Sequence, residues 1–437
     1  MRGRAWVGIF VGCCCASTWS LAAPGAGPAA PKAAAARALD KPAFTATPAE
    51  LLALGKAASA GDASIVVLRA QREVSYDDAG RATVRARRVY VVKTHDADDL
   101  DDAMYAIRAD WHPSFQNQPV IRARVIGPAG NAVDLDPALV SERPAQWRPG
   151  TAPGDTRYLH ARLPPVEVDA VVEQEVATTD REPPIAGSVD ITRLDDNAPT
   201  SSTVISYSAP ASARVHLVAR KLPAGVRVQH QVAHGRETWS YEIGPSLAVA
   251  GAQDRDDDRF DDRFELDAPV DAVVSPYVGV GTAASWEAVA RGYGKLVDRR
   301  ISEGPFALPA ELPRAPSDDA VRAIVAWVHQ HVRCTSPVHG ERIATPLTPA
   351  DAVKQATGSC SDKATLAVAL LRQAGITADL VLFESAWGHH VDAELPGGTA
   401  FNRALVRARI AARDVWIDPA EELARPGQLP DGAQGRR

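Results

Sequence analysis

Two stretches in the last third of the chain carry apolar residues at helical spacing. From Ser317 to Val332, Val321, Ile324, Val325, Val328 and Val332 form one stripe. Ser317 stands where it can cap, and Asp318 and Asp319 suit the positive end of the dipole. From Thr357 to Gly375 the chain reads TGSCSDKATLAVALLRQAG. There Leu366, Ala367, Leu370, Leu371 and Ala374 make a second stripe, with Ser359 as cap and Gly375 as stop. The two helices are expected to pack side by side. Beyond them the period changes, and Leu380 to Phe383, Ala404 to Ile410 and Asp414 to Ile417 read as strands.

Upstream the texture is β from Ser64 to about Pro305. Ser64 to Leu68 reads as a strand. Glu73 to Tyr76, an Asp78-Ala79-Gly80 turn and Thr83 to Val92 read as a hairpin. Further strands are expected over Val120 to Ile126, Ala170 to Thr178, Thr203 to Tyr207, Arg214 to Arg220 and Thr238 to Ile243. Turn residues separate them at short intervals, which suggests sandwich-type sheets. A proline-rich segment, Ser302 to Pro316, is the expected joint between the β region and the helical one. Before the first strand, Pro24 to Pro42 is an Ala/Pro linker, and Thr47-Pro48-Ala49-Glu50 has the form of a capping box. The organisation is thus a leader over residues 1–23, linker and short helix over 24–58, a β-rich region over 59–305 and an α-then-β core over 306–437.

The leader changes the picture of the cysteines. Arg2 and Arg4 precede an apolar run, Ala5 to Ala16, and Ser20-Leu21-Ala22-Ala23 offers small residues for cleavage. Lipid modification at Cys13 is the alternative, although Phe10 is an unusual residue three positions before it. Either route implies export to the periplasm or beyond. Of five cysteines, only Cys334 and Cys360 remain after the leader. In an oxidising compartment two cysteines can simply pair. The other reading is chemical. A thiol at a helix start faces unpaired N–H groups, which lower its pKa and can hold an oxyanion.

Composition narrows the classes. The chain has 437 residues, 46% hydrophobic and 23% charged, with a net charge of −6. These are ordinary globular values, and no basic patch with interleaved aromatics suggests nucleic acid. No run after the leader reaches the length of a membrane helix. Asp254 to Glu265, DRDDDRFDDRFE, places acids at calcium-loop positions, but Arg259 occupies the position of the tight-turn glycine. A solvated, salt-laced loop is the expectation, and no metal or other cofactor is implied.

GSCSDKATL, together with FNRALV (Phe401 to Val406) and VWIDP (Val415 to Pro419), resembles the transglutaminase-like superfamily. WHPSFQNQPVIRARVIGPAG, DTRYLHARLPPVEVDAVVEQEV and SPYVGVGTAASWEAVARGYGKL resemble the DUF3857 family that precedes such cores. The resemblance implies an α+β protein: a β-sandwich-type N-terminal domain, then a papain-like core with a Cys-His-Asp triad. Cys360 matches the nucleophile and Asp418 the orienting carboxylate. Arg403 stands at the family's histidine position. The chain ends at Arg437 soon after the Asp418 strand, so a shortened core is expected.

That replacement decides the expected chemistry. A guanidinium near sulfur favours thiolate by charge, but it neither accepts nor returns a proton near neutral pH. Arg403 can instead bridge to Asp418. His389 and His390, in WGHHVD, are the nearby candidates for a substitute base. Three readings follow: a thiol enzyme of amide transfer or hydrolysis, an inactive module that binds peptide or protein material of the envelope, and a structural protein with a Cys334–Cys360 disulfide.

Overall fold

The computed structural model describes residues 37–59, 61, 63–96, 107–144, 157–194, 198–246, 276–334, 345–384 and 391–429. The leader, most of the Ala/Pro linker, the acidic loop and His389–His390 lie outside the described residues.

A capping box opens α1 (Pro48–Ala57): the Thr47 hydroxyl accepts from the Glu50 N–H while the Glu50 carboxylate receives the Thr47 N–H. Two long strands follow, β1 (Ile65–Tyr76) and β2 (Ala82–Val92). The two short strands expected over 64–76 are one strand, bent by a register shift between Val67 and Arg69. Such a bulge moves every later side chain to the other face. Val66 and Leu68 therefore pack with Leu51 of α1, whereas Val74 and Tyr76 pack on the opposite side.

Next come β3 (Ile107–Trp111), β4 (Val120–Ile126), β5 (Ala132–Asp134), β6 (Val140–Pro144) and β7 (Arg157–Ala161). They are followed by β8 (Val171–Thr179), β9 (Val189–Arg193), β10 (Thr203–Pro210) and β11 (His216–Arg220). The region closes with β12 (Arg227–Ala233), β13 (Arg236–Ile243) and β14 (Tyr277–Gly281). Eight strands form one sheet in the order β12-β13-β10-β1-β2-β8-β4-β5, with β1 and β10 parallel. On its face away from α1 lie two three-stranded sheets, β3-β7-β6 and β11-β14-β9. Ile107 and Ala161 of the first pack against Tyr90 and Val92, and Val278 and Val280 of the second against Val74 and Tyr207. This is the expected sandwich. On the α1 face, the fully buried Glu173 meets Arg87 and Arg124, each at 2.6 Å, and the Phe44 N–H at 2.9 Å.

The β texture does not run to Pro305. A helix of 18 residues, α2 (Trp286–Glu303), corrects the expected β-rich span. Ser285 caps it, and Val289, Tyr293, Leu296 and Val297 are its buried stripe. The rest follows as α3 (Asp318–His331), β15 (Arg333–Cys334), α4 (Pro349–Gln355), β16 (Thr357–Gly358) and α5 (Cys360–Gln373). Then come β17 (Thr377–Phe383), β18 (Arg403–Ile410) and β19 (Arg413–Ile417), an antiparallel sheet in that order. Helix α5 is the axis of this region. Every residue from Cys360 to Leu371 is buried, so it has no solvent face over that length. Val321, Ile324 and Val328 of α3 and Ala404, Val406 and Ala408 of β18 share its core. Between α2 and α3, Leu308 and Leu312 are buried in the same core.

One segment of the C-terminal region docks on the sandwich. The Ala283 N–H donates to the Pro396 carbonyl (3.1 Å), the Gly398 N–H to that of Gly187 (2.9 Å), and the Val189 N–H to the Thr399 hydroxyl (2.6 Å).

Candidate thiol site

The cysteine turn is built by a second capping box. The Ser359 hydroxyl accepts the Asp362 N–H, and the Asp362 carboxylate receives the Ser359 N–H at 2.7 Å. The other Asp362 oxygen takes the Leu347 N–H at 2.6 Å, tying the incoming chain to the helix start. Gly358 is required there, because a Cβ would lie 2.9 Å from the Asp362 Cβ. β15 pairs in parallel with β16, Cys334 opposite Gly358, and this brings the second cysteine beside the turn. The two cysteines are not joined by a disulfide.

Cys360 is the first residue of α5 and is buried, 7% exposed. Its Sγ lies 3.9 Å from the Asn402 carbonyl oxygen, and the Ala404 N–H faces it. Thus α5 and the start of β18 hold the sulfur between them. Burial pushes the thiol up to about 12, against the opposing pull of the Ala404 N–H and the Arg403 charge. This corrects the expectation of a lowered thiol. Helix-start N–H groups favour thiolate, but loss of solvation is the larger effect at a closed site. Burial likewise raises Cys334, with Lys363 and Arg403 pulling the other way.

Arg403 and Asp418 do come together with Cys360. The Asp418 side chain is fully buried, and its Oδ2 receives Arg403 Nη2 at 2.7 Å. Its Oδ1 accepts the N–H groups of Ala420 (3.0 Å) and Glu421 (3.2 Å). Both carboxylate oxygens are therefore occupied, one by a fixed cation. Asn402 Nδ2 donates to Glu384 at 2.8 Å, which anchors the strand start beside the thiol.

Three further groups line this region that the sequence did not single out. Tyr293 of α2 lies against Ser361, and burial with the neighbouring Cys360 charge raises its phenol well above the usual range. Lys363, one turn into α5, is completely buried, and its Nζ has no hydrogen-bond partner among the described residues. Burial lowers it, opposed by Cys334, Glu422, Asp418 and Glu421. His329 of α3 turns a buried, unpartnered Nε2 into the same neighbourhood. Burial and the Lys363 charge lower it, while Glu422 and Asp418 pull it up. The only sequence signal for His329 was its place beside the Val325–Val328–Val332 stripe.

Among the described residues no cluster of three or more His, Cys, Asp or Glu side chains is arranged to hold a metal, and no helix is long and apolar enough to cross a membrane.

A sheet-rich domain followed by a cysteine-bearing helix and an antiparallel sheet is the α+β arrangement of the transglutaminase-like class. Residues 78–249 match the model of a domain of unknown function, DUF3857, and residues 307–397 match that of the transglutaminase-like superfamily. The chain is a transglutaminase-like superfamily protein with an N-terminal DUF3857 domain. The second match contains Cys360 and stops short of Arg403 and Asp418. Among solved structures, a candidate protease from Parabacteroides distasonis aligns at 15% identity, over 81% of this chain and 67% of that one, with a TM-score of 0.62. At that identity the likeness concerns the fold. A candidate cysteine protease from Cytophaga hutchinsonii aligns at 12% identity, over 78% of this chain and 76% of that one, with a TM-score of 0.18. A TGase aligns at 12% identity over 53% and 55%, with a TM-score of 0.17. No curated protein matches the chain.

Proposed function

We propose that this protein is an exported transglutaminase-like module that binds peptide or protein material of the cell envelope and turns over an acyl group weakly or not at all. In this reading residues 1–23 are the signal, 24–58 a linker and short helix, 59–305 the DUF3857 region with α2 at its end, and 306–437 the thiol core. Cys360 stands at the nucleophile's place and Asp418 at that of the orienting carboxylate. One observation carries the reading: Asp418 is bridged at 2.7 Å to Arg403. A carboxylate in a Cys-His-Asp site orients an imidazole that takes the thiol proton and later returns one. Here its partner is a guanidinium, which does neither at neutral pH. The buried thiol, raised to about 12, supports the same conclusion.

The test compares wild type, Arg403→His and Arg403→His with Cys360→Ala on one glutamine-containing peptide, following amide cleavage and transfer to an added amine. Wild type is expected near background. Arg403→His is expected to raise turnover by about tenfold or more, since a positioned base contributes roughly 10²–10⁴, and the added Cys360→Ala to remove the gain. Wild-type turnover equal to that of Arg403→His, and dependent on Cys360, would overturn the inactive reading.

A second reading keeps an active thiol with a substitute base. His329 favours it, because its unpartnered Nε2 sits in the Asp418–Lys363 neighbourhood. The other candidate, His390, lies outside the described residues. Loss of wild-type turnover on His329→Gln, with the fold intact, would select this reading.

A further inference from the structure

The sheet behind α5 has an open edge. In the order β17-β18-β19, β17 pairs only with β18 among the described residues. Which backbone groups of β17 face outward follows from two contacts of opposite parity. The Phe383 carbonyl accepts the Asn402 N–H on the β18 side, at 3.3 Å. The Ala378 carbonyl accepts Arg372 Nε at 2.9 Å on the other side. Within a strand the N–H and C=O of one residue point the same way, and neighbours alternate. Ala378, Leu380 and Leu382 therefore face outward. Arg372 covers the Ala378 carbonyl, which leaves the N–H and C=O of Leu380 and Leu382.

A cavity of about 540 Å³ lies against this edge. Asp379, Leu380, Val381 and Leu382 all line it. Four consecutive strand residues line one cavity only when it lies along the strand edge, because alternate side chains point to opposite faces. The opposite wall is α2, with Trp286, Val289 and Tyr293, and Phe401 closes one end. Trp286 and Phe401 meet edge to face, with centroids 5.6 Å apart. The edge is thus a slot: main-chain donors and acceptors on one side and an apolar, aromatic wall on the other.

We propose that the slot between α2 and β17 binds an extended peptide that adds as a further strand to the β17 edge. The complement of outward N–H and C=O groups at alternate residues is another backbone in β conformation, and a groove walled by apolar side chains admits its alternate side chains. A compact small molecule does not present that repeat. One end of the slot lies close to the cysteine turn. Phe401 precedes Asn402, whose carbonyl lies 3.9 Å from Cys360 Sγ, and Tyr293 lines the slot while lying beside Cys360. The proposal rests on the reading of the module as a peptide binder and names its mode of recognition.

The test uses full-length mature protein carrying Cys360→Ala, so that binding is read without acyl chemistry. Its probe is an immobilised array of random eight-residue peptides, each printed plain and with alternate residues N-methylated in the odd or the even set. Binders are expected among the plain peptides. Methylating one set should weaken them by about tenfold, the loss of a few backbone hydrogen bonds, and methylating the other should have little effect. Leu382→Pro removes one outward N–H and leaves the β18 pairing intact, and it should weaken the same peptides. The N-methylated probes keep the test decisive if that variant unfolds. No binding at all, equal tolerance of both methylated sets, or full binding by a folded Leu382→Pro protein overturns strand addition. Those outcomes are separate from the Arg403→His turnover comparison, which stands or falls without the slot.

Discussion

A thiol reacts as thiolate, and at Cys360 two effects of opposite sign compete for the proton. The helix start, the Ala404 N–H and the Arg403 charge favour the anion, and burial opposes it. Burial wins, leaving the thiol at about 12. Thiolate falls tenfold for each unit of pKa, so at pH 7 iodoacetamide should modify Cys360 at least about a hundredfold more slowly than an ordinary thiol near 8.5. The rate should climb as the pH rises toward 12. Peptide mapping of a timed alkylation, with Cys334 followed separately, measures it. A rate at pH 7 equal to that of a free cysteine peptide would mean that the thiol is open to solvent. The sequence showed the cap and the helix start, which are local. It did not show burial, because what covers the sulfur is Asn402 and Ala404, more than forty positions on.

At the scale of elements, α5 carries a cost in its own middle. Lys363 is 0% exposed, and its Nζ has no hydrogen-bond partner among the described residues. Burial lowers its pKa, so the folded state disfavours the ammonium. The penalty is present below the folded value and fades as pH rises toward the free value of about 10.4. Lys363→Met should therefore stabilise the protein by about 1–2 kcal/mol at pH 7, with a smaller gain at pH 10. Urea midpoints at both pH values check this, and destabilisation at pH 7 would mean that Lys363 has a partner it needs. Helices α3 and α5 were legible because cap and stripe agree in each, and α5 has Gly375 as a stop as well. Helix α2 was not. Gly292 and Gly294 interrupt its stripe, and Val278-Gly279-Val280-Gly281 before it reads as strand. The mid-length strands β17, β18 and β19 were legible as short apolar runs where the helical period ends. The single long β1 was not, because its bulge breaks the alternation between Val67 and Arg69. His329 was hidden for a related reason: a polar residue beside an apolar stripe reads as the edge of a solvated face.

At the scale of the whole molecule, the docked segment between β17 and β18 ties the C-terminal region to the sandwich, and that contact is where acid should act. Arg220 meets Asp392 at 2.9 Å, the Tyr277 hydroxyl donates to Asp392 at 2.5 Å, and Trp286 Nε1 donates to the Ala393 carbonyl at 2.7 Å. Nearby, Gly281 lets the segment approach closely, since a Cβ there would stand 2.9 Å from the Pro396 carbonyl. Burial alone would raise the Asp392 carboxyl, but the hydrogen bonds from Arg220 and Tyr277 outweigh it and hold the group below its ordinary value. A carboxyl depressed in the folded state contributes stability above its unfolded pKa of about 3.9 and loses it as pH falls through the lower folded value. Docking should then be constant from pH 7 to about 4 and weaken below that. Asp392→Asn should give the weakened state at every pH, at a cost of about 1.5–3 kcal/mol for hydrogen bonds to a charged group. Hydrogen exchange of residues 391–400 and Trp286 emission report it together, because Trp286 is bonded to this segment and also lines the α2–β17 slot. If Asp392→Asn exchanges as slowly as wild type at pH 7, the ion pair does not hold the two regions together. The hydrogen bonds of residues 396–399 to the sandwich and the contact of Leu395 with Gly279 and Gly281 of β14 would then be attachments that remain.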